Sequence, residues 1–195
     1  ASIILDETDK LYGGKPFDDA TVCVLKIIKR EPLNIAIGPP AHKNDERRMM
    51  SLFFAKEGQH VVCGGTTSKI AADYLGEKVE VSAFSPDPDI PPISTIKGID
   101  LATEGIITLD KVLIYAKDYL ADNKSFEQWN YKKDGASLAA RKLFEEATDI
   151  NMFIGRAENP AHQDMPINFN VKMQIINELA DCLEQMGKRV KKLYF

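Results

Sequence analysis

Three groups of residues have types and spacings that could do chemistry. The first is the run Gly64-Gly65-Thr66-Thr67-Ser68. A glycine pair lets backbone amides approach a ligand closely. A helix starting at this point would present unpaired amides and the positive end of its dipole to an anion. The hydroxyls of Thr66, Thr67 and Ser68 add donors. The run has neither the spacing of a P-loop nor that of a Gly-x-Gly-x-x-Gly turn. A tight strand-to-helix turn capped by a threonine would use the same residues.

The second group is spread over two later segments, Thr103-Glu104-Gly105 and Arg156 through Gln163. Glu104 is the best-placed general base of the chain, because it would share a rim with the glycine-threonine turn. Arg156 could grip a phosphate or carboxylate with two parallel hydrogen bonds, with Asn159 and His162 beside it on the same polar loop. The alternative is structural: Arg156 bridges Glu104 or Glu158, and His162 binds a backbone carbonyl. The third group is Asp18-Asp19, set directly before the β-branched run that starts at Thr21. Paired aspartates are unusual at a strand start and are what a hard cation such as Mg²⁺ or Mn²⁺ uses. A turn in which Asp caps backbone amides would look the same.

The elements that must position these groups alternate regularly. Short apolar runs at 33–37, 60–63, 79–82, 99–102 and 150–154 read as strands. Amphipathic helices follow them. One carries Met49, Leu52 and Phe53 after a cap at Asn44 or Asp45. Another carries Ile70, Ala71, Tyr74 and Leu75, opening at Thr66 or Thr67 and stopping at Gly76. A third, after Thr108, presents Leu109, Val112, Leu113, Ala116 and Leu120 on one face, and a fourth is capped by Asp134. A last helix carries Ile175, Leu179, Leu183 and Met186, and Val190 to Phe195 closes the chain as an edge strand. Four prolines between Ser85 and Pro92 force an extended loop. Ser125 to Lys133 reads as an excursion anchored by Trp129.

Strands alternating with helices predict a three-layer α-β-α domain. Its sheet is mostly parallel, with Rossmann-like alternation, over residues 31–195. Ligands of such sheets bind outside the carboxyl ends of the strands, which is where the first two groups fall. Residues 1–30 stand apart, with a short helix from Ser2, the break Gly13-Gly14-Lys15-Pro16, and a strand over Thr21–Lys29.

Composition narrows the classes. The 195 residues carry a net charge of −4 and include 44% hydrophobic residues, which argues against a broad basic nucleic-acid surface. No apolar run is long enough to cross a membrane, and the N-terminus lacks the basic stretch of a signal peptide. Cys23, Cys63 and Cys182 have neither disulfide nor zinc spacing. They sit in apolar runs and read as buried, reduced thiols of a cytoplasmic protein.

The segment Gly-Lys-Pro-Phe-Asp-Asp-Ala-Thr-Val-Cys-Val-Leu, residues 14–25, resembles the terminal motif of metal-dependent serine/threonine phosphatases of the stage II sporulation protein E type. In that family an Asp-Asp-x-Thr run opens the last strand of the catalytic domain, and its first Asp ligates a binuclear Mn²⁺ or Mg²⁺ centre. The resemblance gives that role to Asp18, in the intact parent domain only. Val61–Thr67, Gly98–Leu109 and Asn159–Gln163 resemble a region that follows such phosphatase domains. The family's upstream Asp-Gly motifs are missing, since the only Asp-Gly is Asp134-Gly135. One or two carboxylates cannot hold two metals, so no phosphatase activity is expected of this chain alone, and it needs no cofactor of its own.

The expectation is therefore a regulatory domain that binds a small anionic or phosphorylated ligand and acts on an upstream phosphatase domain. Its site would combine Gly64, Gly65, Thr66, Thr67, Ser68, Thr103, Glu104, Arg156, Asn159 and His162. The alternatives are an independent enzyme on a phosphorylated or nucleotide-like substrate, with Glu104 as base, and a protein-interaction or homodimerisation module.

Overall fold

The computed structural model describes the chain except for residues 1, 16–17, 20, 22, 24, 26, 28, 122, 125 and 158–168. A helix, α1 (Ser2–Leu11), leads, and a seven-stranded sheet follows. Its strands are β1 (Pro32–Ile37), β2 (Gln59–Cys63), β3 (Glu80–Val81), β4 (Ser94–Thr95), β5 (Leu101–Thr103), β6 (Asp149–Ile154) and β7 (Arg189–Tyr194). The order across the sheet is β3-β4-β5-β2-β1-β6-β7. The five strands β5-β2-β1-β6-β7 run parallel, and β3 and β4 add an antiparallel edge.

Side chains on a strand alternate between faces, and here each face has its own helices. Leu33, Ile35 and Ile37 of β1, with Ile150, Met152 and Ile154 of β6, pack in one core. That core is shared with α4 (Ile106–Leu120), α6 (Gly135–Arg141) and α7 (Phe169–Gln185). Ala36, Val62 and Phe153 point the other way, onto α2 (Glu46–Phe54) and α3 (Gly65–Leu75). The fold is thus a three-layer α/β architecture, with the sheet between two helical layers. Continuous apolar strands follow directly, because both faces are covered.

Several local expectations are refined. The proline-rich loop is followed by β4, a two-residue strand too short to register as a period. The strand expected over 79–82 contracts to Glu80–Val81 at the antiparallel edge. The excursion at 125–133 contains a short helix, α5 (Phe126–Asn130). Its Trp129 is fully buried against Phe126, Tyr119 and Phe144. Asp134 does cap α6, accepting the Ser137 N–H at 2.9 Å. Cys63 and Cys182 are buried, but Cys23 is exposed. Its apolar neighbours Leu25 and Ile27 are exposed too, so an apolar run there does not mean burial. The described residues of the strand expected over 21–29 pair with no strand, and the alternating ones lie outside the description. No described helix is long and apolar enough to cross a membrane.

Candidate functional site

From β1 the chain passes to β2, then to the far edge for β3 and β4 and back to β5 beside β2, before β6 and β7 are added on the other side of β1. The order therefore reverses between β1 and β6, and the carboxyl ends around this point form the crevice where such sheets bind ligands. Four turns line it: Gly38-Pro39 after β1, Gly64-Gly65 after β2, Glu104-Gly105 after β5 and Gly155-Arg156 after β6.

The turn after β2 is built by glycine. Gly64 has φ 114° and ψ 134° and is itself the N-cap of α3, with no side chain capping the helix. The expected cap at Thr66 or Thr67 is displaced, because Gly64 turns the chain one residue after β2 and Gly65 already begins α3. The same shift occurs at α4, whose N-cap is Gly105 and whose third residue is Thr108. The two glycine turns touch, and a Cβ on Gly105 would lie 3.6 Å from the Gly64 Cα.

With no capping side chain, the N–H groups of Gly65, Thr66 and Thr67 form no hydrogen bond with any described residue, while the Ser68 N–H closes the first turn on Gly64 O at 2.8 Å. Three free amides at the positive end of an eleven-residue helix make an anion cradle. Thr67 adds to it. The residue is 1% exposed, its Oγ1 has no partner, and that oxygen lies 3.3 Å from where a Gly64 Cβ would be. A buried hydroxyl without a partner costs about 1–3 kcal/mol, and the Thr108 hydroxyl in the first turn of α4 is buried without a partner in the same way. Thr66 is exposed at the mouth.

Glu104 stands beside this cradle. Both its carboxylate oxygens lie 3.5 Å from the position a Cβ on Gly65 would take, which is ordinary contact distance and puts the carboxylate against the first residue of α3. The carboxylate makes no ion pair or hydrogen bond with a described residue, which leaves it available to accept from a ligand. Two other expected residues turn inward. Ser68 is 2% exposed, and Thr103 is buried with its hydroxyl directed to Cys63 Sγ at 3.4 Å and Glu104 O at 3.0 Å. Burial pushes the Cys63 thiol up to about 11, so it is not a nucleophile at neutral pH.

Arg156 lies two strands away from Gly64, at the end of β6. Its N–H donates to Phe195 O at 2.8 Å, and its exposed side chain makes no ion pair with a described residue. The bridge to Glu104 is absent, and Asn159 and His162 lie outside the described residues.

Sequence reasoning missed Lys172, in the first turn of α7. Its Nζ donates to Gly155 O at 2.7 Å, and a Cβ on Gly38 would fall 2.3 Å from that nitrogen. The amine thus lies over the β1–β6 reversal. It is half-buried, and burial alone pushes it down from 10.5 to about 8. Its spacing gives no signal, since Val171 and Met173 on either side pack on the core. The usable signal is topological: the first turn of the helix after the strand at the reversal must overhang the crevice.

A second concavity, of about 140 Å³, lies between Ser85, Ile93 and Asp134. Asp134 is its buried acid, but one carboxylate oxygen accepts the Ser137 N–H and the other the Ser137 hydroxyl. Its role there is to hold α6.

Compared with protein-family models, curated proteins and solved structures, the chain matches none.

Proposed function

We propose that residues 31–195 are a ligand-binding regulatory domain whose rim holds the phosphate of a small phosphorylated molecule at the start of α3. The observation that carries this reading is the set of three unused amides together with the buried, unpartnered hydroxyl of Thr67. Glu104 shapes the choice of ligand. Any phosphate beside its carboxylate is repelled, and a phosphate ester carrying a hydroxyl offsets that repulsion by donating to the carboxylate. The test is a melting experiment with ribose 5-phosphate. At 100 times the dissociation constant a ligand adds about 2.7 kcal/mol, which for a chain of this size is a rise of roughly 5–10 °C. A rise lost in Thr67→Val supports the reading, and no rise at any concentration up to 10 mM, a probe range on the order of weak binding, contradicts it.

The unpaired carboxylate favours one second reading, an enzyme in which Glu104 takes a proton from the bound ester. Turnover of a phosphorylated sugar or nucleotide, lost in Glu104→Gln, would establish it.

We also propose, on the residues 14–25 resemblance, that this domain serves a metal-dependent phosphatase of the stage II sporulation protein E type, in the cytoplasm. Asp18 would then be a metal ligand of the catalytic domain. In this chain Asp18 is exposed and its Oδ1 accepts the Asp19 N–H at 2.8 Å, as in a turn. Among the described residues no three His, Cys, Asp or Glu side chains group to hold a metal. The chain alone is expected to release no phosphate from a phosphoserine peptide with Mn²⁺ present, and Mn²⁺-dependent release would contradict this.

A further inference from the structure

The cradle at α3 leaves one strongly basic feature of the crevice unused. Lys172 Nζ spends one of its three hydrogens on Gly155 O. Its remaining two meet no acceptor among the described residues, and no described carboxylate pairs with it. A half-buried ammonium without a counter-ion is unfavourable unless something else supplies the negative charge. Arg156 follows Gly155 directly, and its guanidinium is exposed and unpaired among the described residues. Lys172 Nζ therefore stands at the reversal point, with Arg156 next in the chain to Gly155, and no carboxylate among the described residues pairs with either. Nζ occupies the space beside Gly38 where a Cβ would lie, and the φ of 76° at Gly38 is one that favours glycine.

The register sets how far this feature is from the first. Ile37 pairs with Cys63 on one side and with Ile154 on the other. Strands lie about 4.8 Å apart, so the Lys172 amine is roughly 7–10 Å from the start of α3 along the rim. A separation of that order suits two phosphates at opposite ends of a sugar.

We propose that Lys172, with Arg156 beside it, is the second anchor of the same ligand, which is a small sugar-like molecule carrying two separated phosphate groups. This rests on the phosphate reading of the α3 cradle. Burial already holds the amine near 8, and an arriving phosphate supplies the missing counter-charge and restores its proton.

The test is calorimetric titration at pH 7.0 of the full chain, with fructose 1,6-bisphosphate and fructose 6-phosphate as probes. Wild type should bind the bisphosphate at least about tenfold more tightly. Lys172→Met should abolish that preference and leave the affinity for fructose 6-phosphate unchanged. Thr67→Val should weaken both probes. Should Lys172→Met not fold, Lys172→Gln takes its place, with melting and circular dichroism checked first. Equal binding of the two probes by wild type, both weakened in Thr67→Val, would overturn the second anchor while leaving the α3 cradle standing. A preference that survives in the Lys172 variant would also overturn it, as would a loss of both probes on changing Lys172. Binding of neither probe would overturn both the anchor and the cradle.

Discussion

Replacing Thr67 by valine should make the domain more stable and worse at binding. The hydroxyl is buried, with 1% of the residue exposed, and has no partner. Valine keeps the shape and removes the stranded donor. Its new methyl faces the space left open by Gly64, where the Thr67 oxygen lies 3.3 Å from the position of an absent Cβ. An unsatisfied buried hydroxyl costs about 1–3 kcal/mol. At roughly 2–4 °C per kcal/mol for a chain of this size, melting without ligand should rise by about 2–6 °C after partial relaxation. The same hydroxyl is assigned a hydrogen bond to phosphate, and bonds to charged groups contribute about 1.5–3 kcal/mol. Affinity for ribose 5-phosphate should therefore fall about ten- to hundredfold. Scanning fluorimetry without ligand and titration calorimetry with it read the two halves separately. A lower melting temperature with unchanged affinity would refute the reasoning, because the hydroxyl would then serve the fold and not a ligand.

Other outcomes follow from the same geometry. Lys172 has its proton affinity lowered on folding, from 10.5 to about 8. Its cost to stability is fully present below pH 8 and is relieved as pH rises toward 10.5, where the unfolded chain still binds a proton that the folded chain has shed. Lys172→Met should thus stabilise the ligand-free protein at pH 7, with the gain shrinking by pH 10 in urea titrations; a gain independent of pH would contradict this. Glu104→Gln removes the carboxylate beside the α3 amides, so inorganic phosphate should bind more tightly to the variant by calorimetry, and weaker binding would show that Glu104 does not border the phosphate. Gly155→Ala should be among the most damaging single changes, since its Cβ would lie 2.1 Å from Pro39 O. A loss of about 3 kcal/mol or more is expected in denaturant unfolding, and a loss under 1 kcal/mol would contradict that packing.

The fold was legible because its signals are periodic. Apolar runs such as Leu33–Ile37 and Ile150–Ile154 carry their strands in their composition, and α7 shows its buried face at Ile175, Leu179 and Leu183. Short edge pieces such as β4 hold too few residues to show a period. Helix starts were misplaced by two to three residues at α3 and α4, because threonine is the usual cap and glycine took the position instead. That substitution has chemical consequences, since a glycine cap leaves the amides open. Within the site, Gly64, Gly65, Thr66, Thr67 and Glu104 do come together, whereas Ser68 and Thr103 face inward, a matter of helix phase that spacing alone does not set. Lys172 could be found only from strand order, and strand order is a long-range property that local sequence does not carry.

The most direct test of the α3 cradle is an amide proton–nitrogen NMR titration of the full chain with ribose 5-phosphate. The largest shifts should fall on the amides of Gly65, Thr66 and Thr67, with a smaller response at Gly105 and in the first turn of α4. Large shifts elsewhere, with those three amides unmoved at saturation, would contradict the central claim.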